Sequence, residues 1–148
     1  MHAALHMLAA VLVGALLSLQ PSMNAMLARA VGSAYGASAI SIGVAFASIL
    51  LVVAVIGAGR VTVGTLTAVP WWIYLAGVVG TIFVASGVVI APVTGALVFF
   101  VCIVTGQMLG SLIADHVGAF GLAVREINSM RVFGITLVCL GAIIVTRW

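Results

Sequence analysis

Apolar residues run through this chain in five long stretches, and the charged positions fall at the breaks between them. A helix that crosses a bilayer core of about 30 Å needs roughly 20 mostly apolar residues. Arg60 and Asp115 are separated by 54 uncharged residues, too many for one crossing and enough for two. Turn residues divide the rest. Gly32, Ser33 and Gly36 mark one turn, Gly57, Gly59, Arg60 and Gly64 end a second stretch, and Pro92, Thr94 and Gly95 make a third break. The pattern predicts crossings over about 5–27, 35–58, 71–91, 96–114 and 132–145, hence an all-α integral membrane protein with a single five-helix transmembrane domain over 1–148.

The connectors carry their own signals. Trp71-Trp72-Ile73-Tyr74 follows Pro70 and suits a headgroup level, where the rings are buried and their polar tips stay wet. Residues 115–130 form the longest connector, which has room for a short interfacial helix. The fifth stretch is short, as tilt or local thinning of the bilayer would allow, and ends at the anchor pair Arg147-Trp148. The N-terminal stretch lacks the basic start of a secretion signal unless His2 and His6 are protonated, so an uncleaved first helix is expected.

Composition points to the same solvent. The chain is 66% hydrophobic and 5% charged, with mean hydropathy +1.47, whereas soluble domains carry roughly 25% charged residues. A net charge of +3, made of scattered arginines, leaves no nucleic-acid footprint. Cys102 and Cys139 lie alone in apolar stretches and read as small hydrophobes. No cluster has metal-ligand spacing, and no nucleophile–base pair or phosphate loop is present, so neither a cofactor nor an enzyme is expected. Five crossings put Arg60, Arg125 and Arg131 on the N-terminal side and Arg29 and Arg147 on the other. Three against two is a weak bias for the positive-inside rule. It allows insertion in both orientations and an antiparallel homodimer; the alternative is one orientation set by the long connector.

Polar groups inside a crossing are costly unless satisfied, and so point to function. Gln20 and Asn24 share a face of the first helix, flanking Pro21, whose ring pushes on the carbonyl of Leu17 and kinks the chain. They read equally as a polar wall of a substrate cavity or as glue between helices. Gln107, Ser111 and Asp115 form a stripe along the fourth helix, beside Gly106 and Gly110; the stripe is either cavity lining or a helix interface. Asp115 sits at a helix end whose dipole disfavours it. It reads as a cap for the connector or, with His116, as a proton-coupling or gating pair. Glu126 pairs with Arg125 or stays solvated. Ser38, Ser41, Ala45 and Ser48, and the pairs Gly80/Gly87 and Gly134/Gly141, read as small-residue packing stripes. Arg131 reads as a headgroup anchor.

Taken together, Gln20-Pro21 with Asn24, Trp71-Trp72 with Gly77 and Gly80, Ala91-Pro92 with Gly95, Gly106-Gln107, Asp115-His116-Val117-Gly118, and Arg131 with Gly134 and Gly141 resemble the YdcZ-like family of the drug/metabolite transporter superfamily. The resemblance implies an EamA-like half-transporter of the bacterial inner (plasma) membrane. Such a unit pairs with an antiparallel second copy or a paralogue, with a substrate site at the interface of inverted repeats. It points to Gln20, Asn24, Gln107, Asp115 and His116. Small multidrug-resistance relatives carry a glutamate in the first helix; here Gln20 and Asn24 stand instead. Without that buried charge, a neutral or zwitterionic small solute is favoured over an organic cation. The expectation is therefore a secondary transporter working by alternating access, with the lipid bilayer and a small-molecule solute as partners and no nucleic acid. An assembly subunit of a larger membrane complex is the first alternative. A passive channel ranks last, since no ring of charge is present to act as a filter.

Overall fold

The computed structural model describes residues 2–59 and 61–147. Met1, Arg60, Trp148 and the side chains of His2 and Ala3 lie outside the described residues. Every regular element among the described residues is helical: α1 (His2–Leu17), α2 (Gln20–Val31), α3 (Ala34–Ile56), α4 (Val63–Thr67), α5 (Ala76–Thr94), α6 (Ala96–Val117) and α7 (Ser129–Thr146), with 3-10 turns at Trp71–Leu75 and Ala119–Gly121. Five segments are long and apolar enough to cross a membrane: Ala4–Val31, Ala34–Ile56, Trp71–Thr94, Ala96–Val117 and Ser129–Thr146. Two compact units, Met1–Val93 and Thr94–Trp148, divide the chain, and each is described by itself.

In the first unit the first crossing is two helices, not one kinked helix. At the break the Leu19 N–H turns to the Leu16 carbonyl (3.1 Å), and the Ser18 hydroxyl donates to the Ala15 carbonyl (2.7 Å). Pro21 then falls in the first turn of α2, where its missing N–H has no partner to lose. The interruption thus precedes the proline. Gly32, at φ 72°, ends α2 with its N–H on the Ala28 carbonyl, and the Ser33 hydroxyl caps α3 by accepting from the Gly36 N–H (3.0 Å). The turn is tight enough for α2 and α3 to pack together. What is buried here is small: Ala25, Ala37, Val88 and Ala91, together with Asn24 and Ser38. Small side chains let backbones approach closely, the packing mode that works when lipid removes the hydrophobic drive between helices.

The connector after α3 is more ordered than its polarity predicts. Thr62 and Thr65 form a reciprocal capping box on α4. The Tyr74 hydroxyl donates to the Leu66 carbonyl (2.8 Å), tying the interfacial aromatic turn back to that short helix. Helix α5 also runs past Pro92 to Thr94. A proline in the last turn forfeits only its own bond, so the break waits for Gly95 at φ 83°.

In the second unit α6 ends at Gly118, at φ 62°, and the chain returns to α7 through one 3-10 turn and an extended stretch over 122–128. No interfacial helix forms there: Gly118, Phe120 and Gly121 all take positive φ, which breaks any helical run. Asn128 caps α7, its side-chain oxygen accepting the Arg131 N–H (2.9 Å). Phe99 and Phe100 meet edge to face near the start of α6, with centroids 5.3 Å apart.

Candidate functional site

Most hydroxyls in the crossings are satisfied by their own helix. Ser38, Ser48, Thr81, Thr105 and Thr136 each donate to the carbonyl four residues earlier, at 2.7–3.1 Å. A carboxamide cannot close that short loop so easily. Among the described residues no side-chain hydrogen bond is made by Gln20, Asn24, Gln107 or Ser111. These side chains gather at two hollows, one in each unit.

The first hollow, about 410 Å³, opens beside the α1–α2 break. Gln20, Asn24 and Ser41 supply its polar wall, and Leu16, Met23 and Val44 are among its apolar lining. Asn24 is only 7% exposed. Four residues separate it from Gln20, so both carboxamides share a face of α2. Ser41 joins them from α3. Its spacing with Ser38 and Ser48 suggested packing alone, yet those two bond within α3 and Ser41 borders the cavity.

The second hollow, about 430 Å³, lies along α6 and α7. Gln107, Ser111 and Asp115 line it from α6, Arg131 and Gly134 from α7. The carboxylate of Asp115 meets the Arg131 guanidinium at 3.4 Å, each side chain about a third exposed (33% and 30%). Arg131 also donates to the Arg125 carbonyl (3.4 Å), and the Arg125 N–H returns to the Asp115 carbonyl (2.9 Å). The return segment is thereby laced to both helix ends.

This arrangement explains an acid at the C-terminal turn of α6. Its charge stands beside Arg131 in the first turn of α7, so the counter-ion offsets what the α6 dipole disfavours. His116 is exposed and points to no partner among the described residues. Arg131, expected as a headgroup anchor, also has a counter-ion within the chain. The one hint was that an acid near the membrane needs a cation, and no spacing across the aperiodic connector singles out Arg131 for it.

Five apolar helices of membrane length, with their unsatisfied side chains drawn to two hollows, define a small integral membrane protein. The chain belongs to the DMT_YdcZ family, described as “Putative inner membrane exporter, YdcZ”, whose profile matches residues 5–144. The motif resemblance and the inner-membrane location both stand on that match. An exporter family is not an enzyme class. Comparison with curated proteins and with solved structures gives no match.

Proposed function

We propose that the chain is one half of an exporter that moves a small neutral or zwitterionic solute by alternating access, and that it pairs with an antiparallel copy of itself. The observation that carries this reading is Asn24, a residue only 7% exposed whose carboxamide makes no hydrogen bond among the described residues and keeps its polar atoms accessible beside a cavity at a broken membrane helix. A polar group left so in an apolar setting is costly unless a ligand or water completes it. Broken helices at membrane depth are found where they line such a cavity. The Gln107–Ser111 stripe on α6 is the second stretch of candidate lining. Asp115, held by Arg131, and its neighbour His116 are the groups that would couple export to proton movement. The membrane family and the lack of net charge in the α2 hollow support the neutral or zwitterionic class.

Liposomes holding the purified protein test this. A thermal-shift screen against a metabolite library first supplies the solute, since a ligand of the native state raises its stability. Gln20→Ala and Asn24→Ala should each lower transport of that solute about tenfold, the loss expected for a hydrogen bond made in a dry site, while the dimer persists. Loss of the dimer in both variants would make the two carboxamides structural and end the proposal.

A further inference from the structure

The hollow at the Asp115–Arg131 end of α6 and α7 does not stop at Gln107. Val104 borders it and also borders a hollow of about 290 Å³ further along the same two helices. That second stretch is lined only by apolar side chains and glycine, among them Val101, Val138 and Gly141. A Cβ built on Gly134 or on Gly141 meets nothing within 4 Å, so nothing within this chain fills the groove at either glycine. From Asp115 to Val101 the groove follows α6 for about 21 Å. One leaflet of hydrocarbon is roughly 15 Å deep. The groove therefore has a charged end of headgroup size, a polar shoulder at Ser111 and Gln107, and beyond Val104 an apolar stretch toward the middle of a bilayer.

The charged end has a definite polarity. Asp115 and Arg131 together carry no net charge, and both remain a third exposed. An ammonium on the carboxylate and a phosphate on the guanidinium would lie antiparallel to this pair, leaving each of the four charges with an opposite neighbour. A purely anionic head would be drawn to Arg131 but repelled by the Asp115 carboxylate beside it; a purely cationic head would meet the converse. Arg131 has donors to spare for this task, since its guanidinium carries five N–H groups in a planar fork that fits phosphate.

We propose that the α6–α7 groove binds a single-chain zwitterionic amphiphile. Its ammonium sits on Asp115, its phosphate on Arg131, and its chain runs past Val104 toward Gly141. This is a site apart from the α2 hollow, and only the step after binding, release of the amphiphile across the membrane, rests on the export reading.

The full-length protein in maltoside micelles tests it, with three probes. They are lysophosphatidylethanolamine carrying a photoactivatable group at the chain end, the same chain with a glycerol head, and phosphoethanolamine without a chain. The ethanolamine probe should label α6 and α7 in the far stretch, around Val101 and Gly141. The glycerol probe should label about tenfold less, the loss expected for one charge-assisted contact, and phosphoethanolamine should not compete. Asp115→Asn should lower ethanolamine-probe labelling by a similar factor. Equal labelling by both heads, labelling outside these helices, or a cross-link between two copies in place of labelling would each overturn the assignment. The comparison of heads uses the unaltered protein, so it holds even where a variant fails to fold. Labelling without transport of the probe would uphold the groove as a binding site and detach it from export; transport of the thermal-shift solute without labelling would uphold the export reading and overturn the groove.

Discussion

At the scale of single residues, two glycines of the second unit behave in opposite ways. Gly118 sits at φ 62°, and a Cβ there would lie 2.8 Å from the Val124 side chain and 3.1 Å from the Leu122 carbonyl. Gly118→Ala should lower stability by about 1–2 kcal/mol from the left-handed backbone alone, with the clash adding to it. Gly134→Ala, facing open space, should stay within about 0.5 kcal/mol; unfolding of both variants in mixed micelles gives the comparison. The Asp115–Arg131 pair is a different kind of contact. Because both partners are a third exposed, a double-mutant cycle with Asp115→Asn and Arg131→Gln should give a coupling below about 1 kcal/mol. A larger value would make the pair a brace of the fold. The pair itself was hard to read in advance. Asp115 and Arg131 are joined across a connector with no periodicity, and nothing in their spacing distinguishes a headgroup anchor from a counter-ion. Gln20 and Asn24 were easier, because a helix places residues four apart on one face whatever surrounds it.

At the scale of elements, caps and breaks decide where the helices stop. Asn128 holds the first turn of α7 by accepting the Arg131 N–H. Asn128→Ala should destabilise the protein by about 1 kcal/mol, and Asn128→Ser should restore most of it; thermal unfolding followed by circular dichroism would show both. The five crossings were legible from run length alone, since hydrocarbon thickness sets how long an apolar helix must be. Their ends were less so. Pro92 looked like a stop and is carried inside α5, and Pro21 looked like the kink while the break falls at Ser18 and Leu19. A proline removes one donor, and whether a helix ends there depends on which neighbouring carbonyls find other partners. The 122–128 segment is extended where an interfacial helix was expected, because three positive-φ residues precede it.

At the scale of the whole molecule, the dominant fact is how little is buried. Leu16, Val55, Val93 and Phe133 are all exposed, and buried apolar residues are few among the described residues. Phe99 is the one large side chain among the buried apolar residues described, and such a surface fits a chain solvated by lipid and by other helices. The near balance of arginines across the five crossings leads to one prediction about assembly. Reporter fusions after residue 147 should be active on both sides of the inner membrane, and activity confined to one side would end the antiparallel pairing. The hydroxyl groups that bond within their own helices have a further use. Thr81 and Thr136 each spend their hydroxyl proton on the backbone that carries them, so neither has a donor to spare for a passing solute. They are accordingly the positions at which a cysteine carrying a spin label or a fluorophore should report on helix motion while leaving the conducted molecule undisturbed.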